Sequence, residues 1–184
     1  KIRDFLNRTK EGEVALIAYA GDAHVISPLT RDAATIASLL PGLDPRIMPF
    51  PGSRPDRAME RARDLLGRHS NRSGDVIWFT DGIKPKLTES LSKALGTHRL
   101  SILAFGTENG APIPTGEGGF VKDGSGAIVV SSMDADPLQS LASQSGGVFQ
   151  RMRSDDRDIE LLLNQSLMGA EYEEGRMEQV GDQW

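Results

Sequence analysis

Apolar positions follow two rhythms along this chain. Val14–Ala20 (VALIAYA), Val76–Phe79 (VIWF) and Leu100–Phe105 (LSILAF) are nearly continuous apolar runs, and Val148–Met152 is a shorter fourth segment. Such runs, rich in β-branched and aromatic side chains, predict strands buried on both faces, as in a parallel sheet. Between them apolar residues recur at three- and four-residue spacing. Ile2, Phe5 and Leu6 form one such stripe, and Ile36 with Leu39-Leu40 a second. Others are Ala58, Ala62, Leu65 and Leu66; Leu138 and Leu141; and Ile159, Leu162, Leu163 and Leu167. That spacing predicts amphipathic helices.

Turn and cap residues set the expected boundaries. Gly21-Asp22 turns Val14–Ala20 back into a short strand, Ala23–Ser27, making a hairpin. Thr30 is the expected cap of the helix that Pro41-Gly42 stops. Ser53 is the expected N-cap of the helix over 54–68, with Pro55 in its first turn. Lys84 or Thr88 opens a helix ended by Gly96. The Gly- and Pro-rich stretch 106–119 reads as a loop. Lys122-Asp123-Gly124-Ser125-Gly126 predicts a second hairpin, between Gly119–Val121 and Ala127–Val130. Asp134 or Asp136 caps the next helix, and the last helix spans 155–168. Alternating strands and helices predict a doubly wound α/β fold: a mostly parallel sheet between helices, with one antiparallel edge strand.

Composition narrows the function. The 184 residues suit one domain, 38% apolar and 26% charged. A net charge of −5 gives no nucleic-acid footprint. The absence of cysteine excludes disulfides and thiolate metal sites. Both chain ends read as cuts in a longer protein, and 169–184 reads as a polar linker.

Candidate chemistry centres on Thr80-Asp81-Gly82, where the VIWF strand should leave the sheet. Ligands of open α/β sheets bind at that carboxyl edge, and an ionised Asp there can hold a hard cation. Asp-Gly is equally a plain turn pair. Asp22 and Asp32 also lie near strand ends and read better as turn or cap residues. His24, His69 and His98 lie in unrelated segments without catalytic spacing and are expected at the surface or rim. No P-loop, EF-hand, GxGxxG or nucleophile elbow fits the glycines.

The ordered set VALIAYAG (Val14–Gly21), SPLTRD (Ser27–Asp32), PGSRPDRA (Pro51–Ala58) and VIWFTDG (Val76–Gly82) resembles a von Willebrand factor A domain. GAPIP at Gly110–Pro114, GGFVKDGSGAIV at Gly118–Val129 and the final Gln183-Trp184 resemble the bacterial Bat-type domains of an aerotolerance operon. The resemblance implies a protein-interaction module, not an enzyme, with Mg²⁺ (or Mn²⁺ or Ca²⁺) at a metal-ion-dependent adhesion site. Asp81 matches the family's strand-end Asp as a metal residue, and Ser53 stands where the family often has Thr. The family's Asp-x-Ser-x-Ser loop and first strand have no counterpart, so the domain at 1–168 is expected to be N-terminally truncated, its metal site incomplete in this chain.

In the family, the absent strand lies between the Val14–Ala20 and Val76–Phe79 strands. Either the sequence is incomplete, or those strands pair directly, or another segment fills the slot, or a neighbour is swapped or homo-oligomerised into it. The implied partner is a protein presenting a carboxylate. The implied setting is membrane-anchored, with 169–184 leading toward a membrane segment and the domain extracytoplasmic, in the periplasm; cytoplasmic display stays open. The rival readings are a Rossmann-like enzyme and a metal-independent structural scaffold.

Overall fold

The computed structural model describes residues 1–10, 12–69, 74–106, 110–115, 118–131 and 133–165. The expected linker at 169–184, and the last turn expected for the final helix, lie outside the described residues. The chain opens with helix α1 (Ile2–Arg8), which turns Phe5 and Leu6 inward. The hairpin of β1 (Val14–Tyr19) and β2 (Ala23–Thr30) follows, antiparallel, with Tyr19 opposite Ala23 and Ile17 opposite Val25. The Asp22 carboxylate closes the turn by accepting the Ala23 N–H at 2.8 Å.

A second sheet is parallel, in the order β3 (Asp75–Thr80), β4 (Arg99–Ala104), β9 (Phe149–Arg151). With a partner on each side, β4 is the most buried strand: Leu100, Ile102, Leu103 and Ala104 are fully buried. Strand alternation sends its side chains into two cores. On one face Val76, Trp78, Leu100 and Ile102 pack with Met59 of α3 (Pro55–His69), with α4 (Thr88–Leu95) and with α5 (Asp136–Gln144). On the other, Ile77, Phe79 and Leu103 meet Phe5 of α1 and Ile159 and Leu162 of α6, helical over 157–165. β9 comes so close to β4 that a Cβ on Gly147 would lie 2.1 Å from the Leu100 carbonyl oxygen, so only glycine fits there.

Four local expectations change. β2 runs on through Thr30, and Asp32 caps α2 (Ala33–Leu39) by accepting the Thr35 N–H at 3.0 Å. A carboxylate at the position next to the helix outcompetes a hydroxyl two residues earlier. α3 starts at Pro55, which leaves Arg54 next to the helix and Ser53 one residue outside the cap position. The stretch read as a loop supplies β5 (Ala111–Pro112) and β6 (Pro114–Thr115), which pair with β8 (Val130–Ser131) and β7 (Gly119–Phe120). The Asp-Gly turn does form: Asp123 accepts the Ser125 and Ala127 N–H groups, and Lys122 bridges Ile128. These strands are two residues long, which suits Pro112 and Pro114 at their edges.

His98 is the fourth change. It is not a surface residue but is 7% exposed, and its Nδ1 accepts the Gly74 N–H at 2.9 Å. Burial pushes its pKa down, and the Arg63 guanidinium adds to the shift. The folded protein therefore holds fewer protons here than the unfolded chain. The stability His98 contributes should be complete above about pH 6.5, where a free histidine is neutral, and be lost as pH falls through the lower folded value. Urea midpoints of wild type and His98→Gln between pH 7.5 and 5 check this: the wild type should lose the larger share on acidification.

The two sheets do not join. β1 pairs with β2 and β3 pairs with β4, and among the described residues no ladder links β1 to β3. Direct pairing of the two long apolar runs is thus excluded in this structure. They are bridged by side chains: the Trp78 Nε1–H donates to the Tyr19 hydroxyl at 2.9 Å, with ring centroids 6.4 Å apart.

Candidate functional site at the strand-end rim

β3 ends as its composition demands. Thr80 is buried, with its hydroxyl turned back on the chain: it donates to the Gly82 carbonyl at 2.9 Å and accepts the Gly82 N–H at 3.2 Å. This hydroxyl loop makes the sharp exit and leaves Asp81 exposed between the two residues. Thr80 is therefore engaged internally and is a positioning residue for Asp81.

The Ser53 segment is fixed at the end of β1. The carboxyl end of β1 is clamped to the 50–54 segment: the Gly21 N–H donates to the Phe50 carbonyl at 2.9 Å, and the Arg54 N–H donates to the Ala20 carbonyl at 2.7 Å. A Cβ on Gly21 would lie 2.6 Å from the Pro51 carbonyl oxygen, so this approach requires glycine. Ser53, exposed, sits within the clamped segment. Tyr19, two residues before Gly21, links this corner to β3. Burial pushes the Tyr19 phenol up; the Thr80 and Trp78 hydrogen bonds oppose that rise and the Asp81 carboxylate adds to it. The Tyr19 phenol thus joins β1, two residues before the clamp, to Trp78 and Thr80 of β3.

Asp22 and Asp32 do what their turn and cap readings predict. His24 stands in β2, half-buried, with its Nε2 enclosed and without a hydrogen-bond partner among the described residues; His69 ends α3. Sequence reasoning missed Tyr19, which looks like one more apolar strand residue, and it missed Arg54. Arg54 holds Asp56 through two nitrogens, Nε at 2.9 Å and a terminal nitrogen at 2.6 Å. Beside it a shallow groove is lined by Arg57, Arg61, Asp22, Glu60 and Asp64, a surface of mixed charge.

Mg²⁺ wants six oxygens in near-octahedral array. Asp81 and Ser53 offer one carboxylate and one hydroxyl, and the Thr80 hydroxyl is already engaged. Among the described residues no three Asp, Glu or His side chains form a group able to hold a metal. Among the described residues, the donor set does not complete a magnesium shell.

Comparison with known proteins fits this architecture. The family profile described as von Willebrand factor type A domain matches residues 1–84. The solved BatB protein of Bacteroides thetaiotaomicron, a conserved hypothetical protein, superposes with a TM-score of 0.78 at 20% identity, over 92% of this chain and 85% of that one. An aerotolerance-related membrane protein from Bacteroides fragilis NCTC 9343, carrying multiple mutations to serine, gives 0.76 at 22% identity, over 90% and 83%. A von Willebrand factor type A structure from Catenulispora acidiphila gives 0.54 at 16% identity, over 91% of this chain and 35% of that one. No curated protein sequence matches the chain. Residues 1–84 thus match the von Willebrand factor type A profile, and the chain as a whole shares the fold of these solved structures.

Proposed function

We propose that the chain is a Bat-type protein-interaction module that docks its partner on the rim around Ser53, Arg54 and Asp81. The observation that carries the reading is the clamp of Gly21 and Arg54 on the end of β1, which holds the Ser53 segment at a strand end while Asp81 stands exposed at the end of β3. Exposed polar groups on turns anchored to a rigid sheet favour recognition. The partner would present a carboxylate. Asp81 and Ser53 would offer two of the oxygens for a bridging Mg²⁺, or Mn²⁺ or Ca²⁺, the others coming from that carboxylate, from water and from outside the described residues. These residues alone should not hold the ion, so we assign the chain no metal role by itself.

The parent protein would be membrane-anchored with this domain outside the cytoplasm, a reading supported by the aerotolerance-related neighbour, which is named as a membrane protein. No helix among the described residues is long and apolar enough to cross a membrane. Binding is favoured over catalysis because the rim shows an exposed carboxylate on an open surface, and the histidines stand in separate elements.

Calorimetric titration with MgCl₂ and MnCl₂ tests the incomplete shell. The expected result is no saturable heat up to about 1 mM, which corresponds to binding weaker than about 4 kcal/mol. Submillimolar affinity would overturn it. For docking, Asp81→Ala should weaken capture of the cognate partner by about tenfold or more. Unchanged capture would favour the metal-independent scaffold.

A further inference from the structure

The segment between β4 and α5 leaves large apolar side chains in water. Phe120, Ile128 and Val130 are 49%, 47% and 53% exposed. They stand on a small arm whose backbone closes on itself. The Ile113 N–H donates to the Val129 carbonyl at 3.2 Å, the Val129 N–H to the Val121 carbonyl at 2.8 Å, and the Val121 N–H to the Ile113 carbonyl at 2.8 Å. Three short strands thus meet in a cyclic junction that fixes the arm's shape.

Register sorts the side chains into two faces. Pro112 stands opposite Val130, and Lys122 opposite Ile128. Phe120 lies two residues before Lys122, and Ile128 two before Val130. Strand alternation therefore puts these five on one face, and Ile113, Val121 and Val129 on the other. The second face is the better covered: Val129 is half-buried, and Ile113 and Val121 are 39% and 37% exposed. The first is an open apolar surface with one cation, Lys122, and no acid. The neighbouring Asp123 spends its carboxylate on its own turn, accepting from Ser125 and Ala127.

The arm is rooted beside Asp81. The Phe105 N–H donates to the Thr80 carbonyl at 2.8 Å, and a Cβ on Gly106 would lie 3.4 Å from the Met133 Cβ. Met133 is buried in the core that holds Trp78. Both ends of the excursion are thus anchored where β3 and β4 leave the sheet.

We infer that this face extends the docking rim and takes an apolar patch, bordered by a carboxylate, on the same protein that docks at Asp81; the inference rests on the docking at Ser53, Arg54 and Asp81 proposed above. A contiguous exposed apolar surface marks an interaction site. Lys122, with no acid on its face, is complementary to a carboxylate. The five side chains fall well short of the roughly 20–30 residues a side that a stable interface uses, so the face works as one part of a larger footprint. The rim supplies the rest. A second copy meeting this face with its own would bring the same few residues, too few for a stable dimer. Anionic lipid is disfavoured by the exposed Asp81 beside the arm's root and by the net charge of −5.

Photocrosslinking in cells tests this on the parent protein. The residue p-benzoylphenylalanine is placed at position 120, at position 81, or at position 93 on α4 as a control. Positions 120 and 81 should crosslink to one and the same protein, which position 93 does not reach. Affinity for that protein, once identified and purified, should fall at least tenfold in Phe120→Ser and in Val130→Ser and at least threefold in Lys122→Glu, with the unfolding midpoint unchanged because all three side chains are exposed. A crosslink from position 81 alone would overturn the inference and leave the rim reading standing. A crosslink from position 120 alone, or to a different protein, would overturn the shared partner and remove the rim from it. No crosslink from either position would overturn both. Crosslinking of position 120 to a second copy, flotation of the protein with phosphatidylglycerol vesicles that Phe120→Ser abolishes, or unchanged affinity in both serine variants would each overturn the inference.

Discussion

Trp78→Ala is expected to destabilise the domain by about 3–5 kcal/mol, the usual cost of deleting a large buried aromatic. Trp78 is 4% exposed and belongs to the core formed with α3, α4 and α5. Its indole also spans the gap between the sheets through the 2.9 Å bond to Tyr19. Trp78→Phe separates these roles. It keeps most of the apolar volume and removes the Nε1–H donor, so its cost should stay near 1–2 kcal/mol. Urea unfolding followed by far-UV circular dichroism measures both variants. A loss in Trp78→Ala no larger than in Trp78→Phe would show that the core closes over the cavity.

Asp158→Ala is expected to cost about 3 kcal/mol at pH 7, because it removes one partner of a buried ion pair. Asp158 is fully buried in the first turn of α6. Its carboxylate accepts the Lys1 Nζ at 3.0 Å, the Arg153 N–H at 2.9 Å and the Ile159 N–H at 2.9 Å. It thereby ties the start of α1 to α6, across the core that contains Phe5 and Ile159. Burial alone would push this carboxyl's pKa up, but the three donors more than offset that and leave it below the ordinary value. The unfolded chain therefore binds the proton more readily than the folded one. The stabilisation is complete above about pH 4 and is lost as pH falls through the lower folded value. The gap in unfolding free energy between wild type and Asp158→Ala should accordingly narrow from pH 7 to pH 3. A gap independent of pH would mean that packing, not the carboxylate's charge, accounts for the loss.

Individual residues show where reading the sequence works. Val76 to Phe79 and Leu100 to Ala104 were legible as strands because a continuous run of bulky apolar residues has few other ways to leave water. Gly96, at φ 71°, ends α4 as expected, since a left-handed residue suits glycine. Asp81 was legible as a strand-end carboxylate because the apolar run stops just before it. The histidine in His98 was not, because its burial depends on Gly74, 24 residues earlier, presenting an N–H to its ring. Nor was Tyr19 legible as a bridge, since nothing in VALIAYA distinguishes a strand tyrosine from one that meets Trp78. The small strands around Pro112 and Pro114 escaped notice because two-residue pairing leaves no periodicity.

The sequence by itself determined the long elements, the α/β alternation and the carboxylate at the end of β3. These follow from local apolar rhythm and from turn residues, whose energies act over a few positions. Only the tertiary structure decided that β1 and β3 stand apart in separate sheets, joined through Tyr19 and Trp78. Strand pairing is a contest among distant edges, decided by which helices cover them. Here α3 packs against β1 and β2 and sends Met59 into the core with Trp78, while α1 sets Phe5 against Phe79.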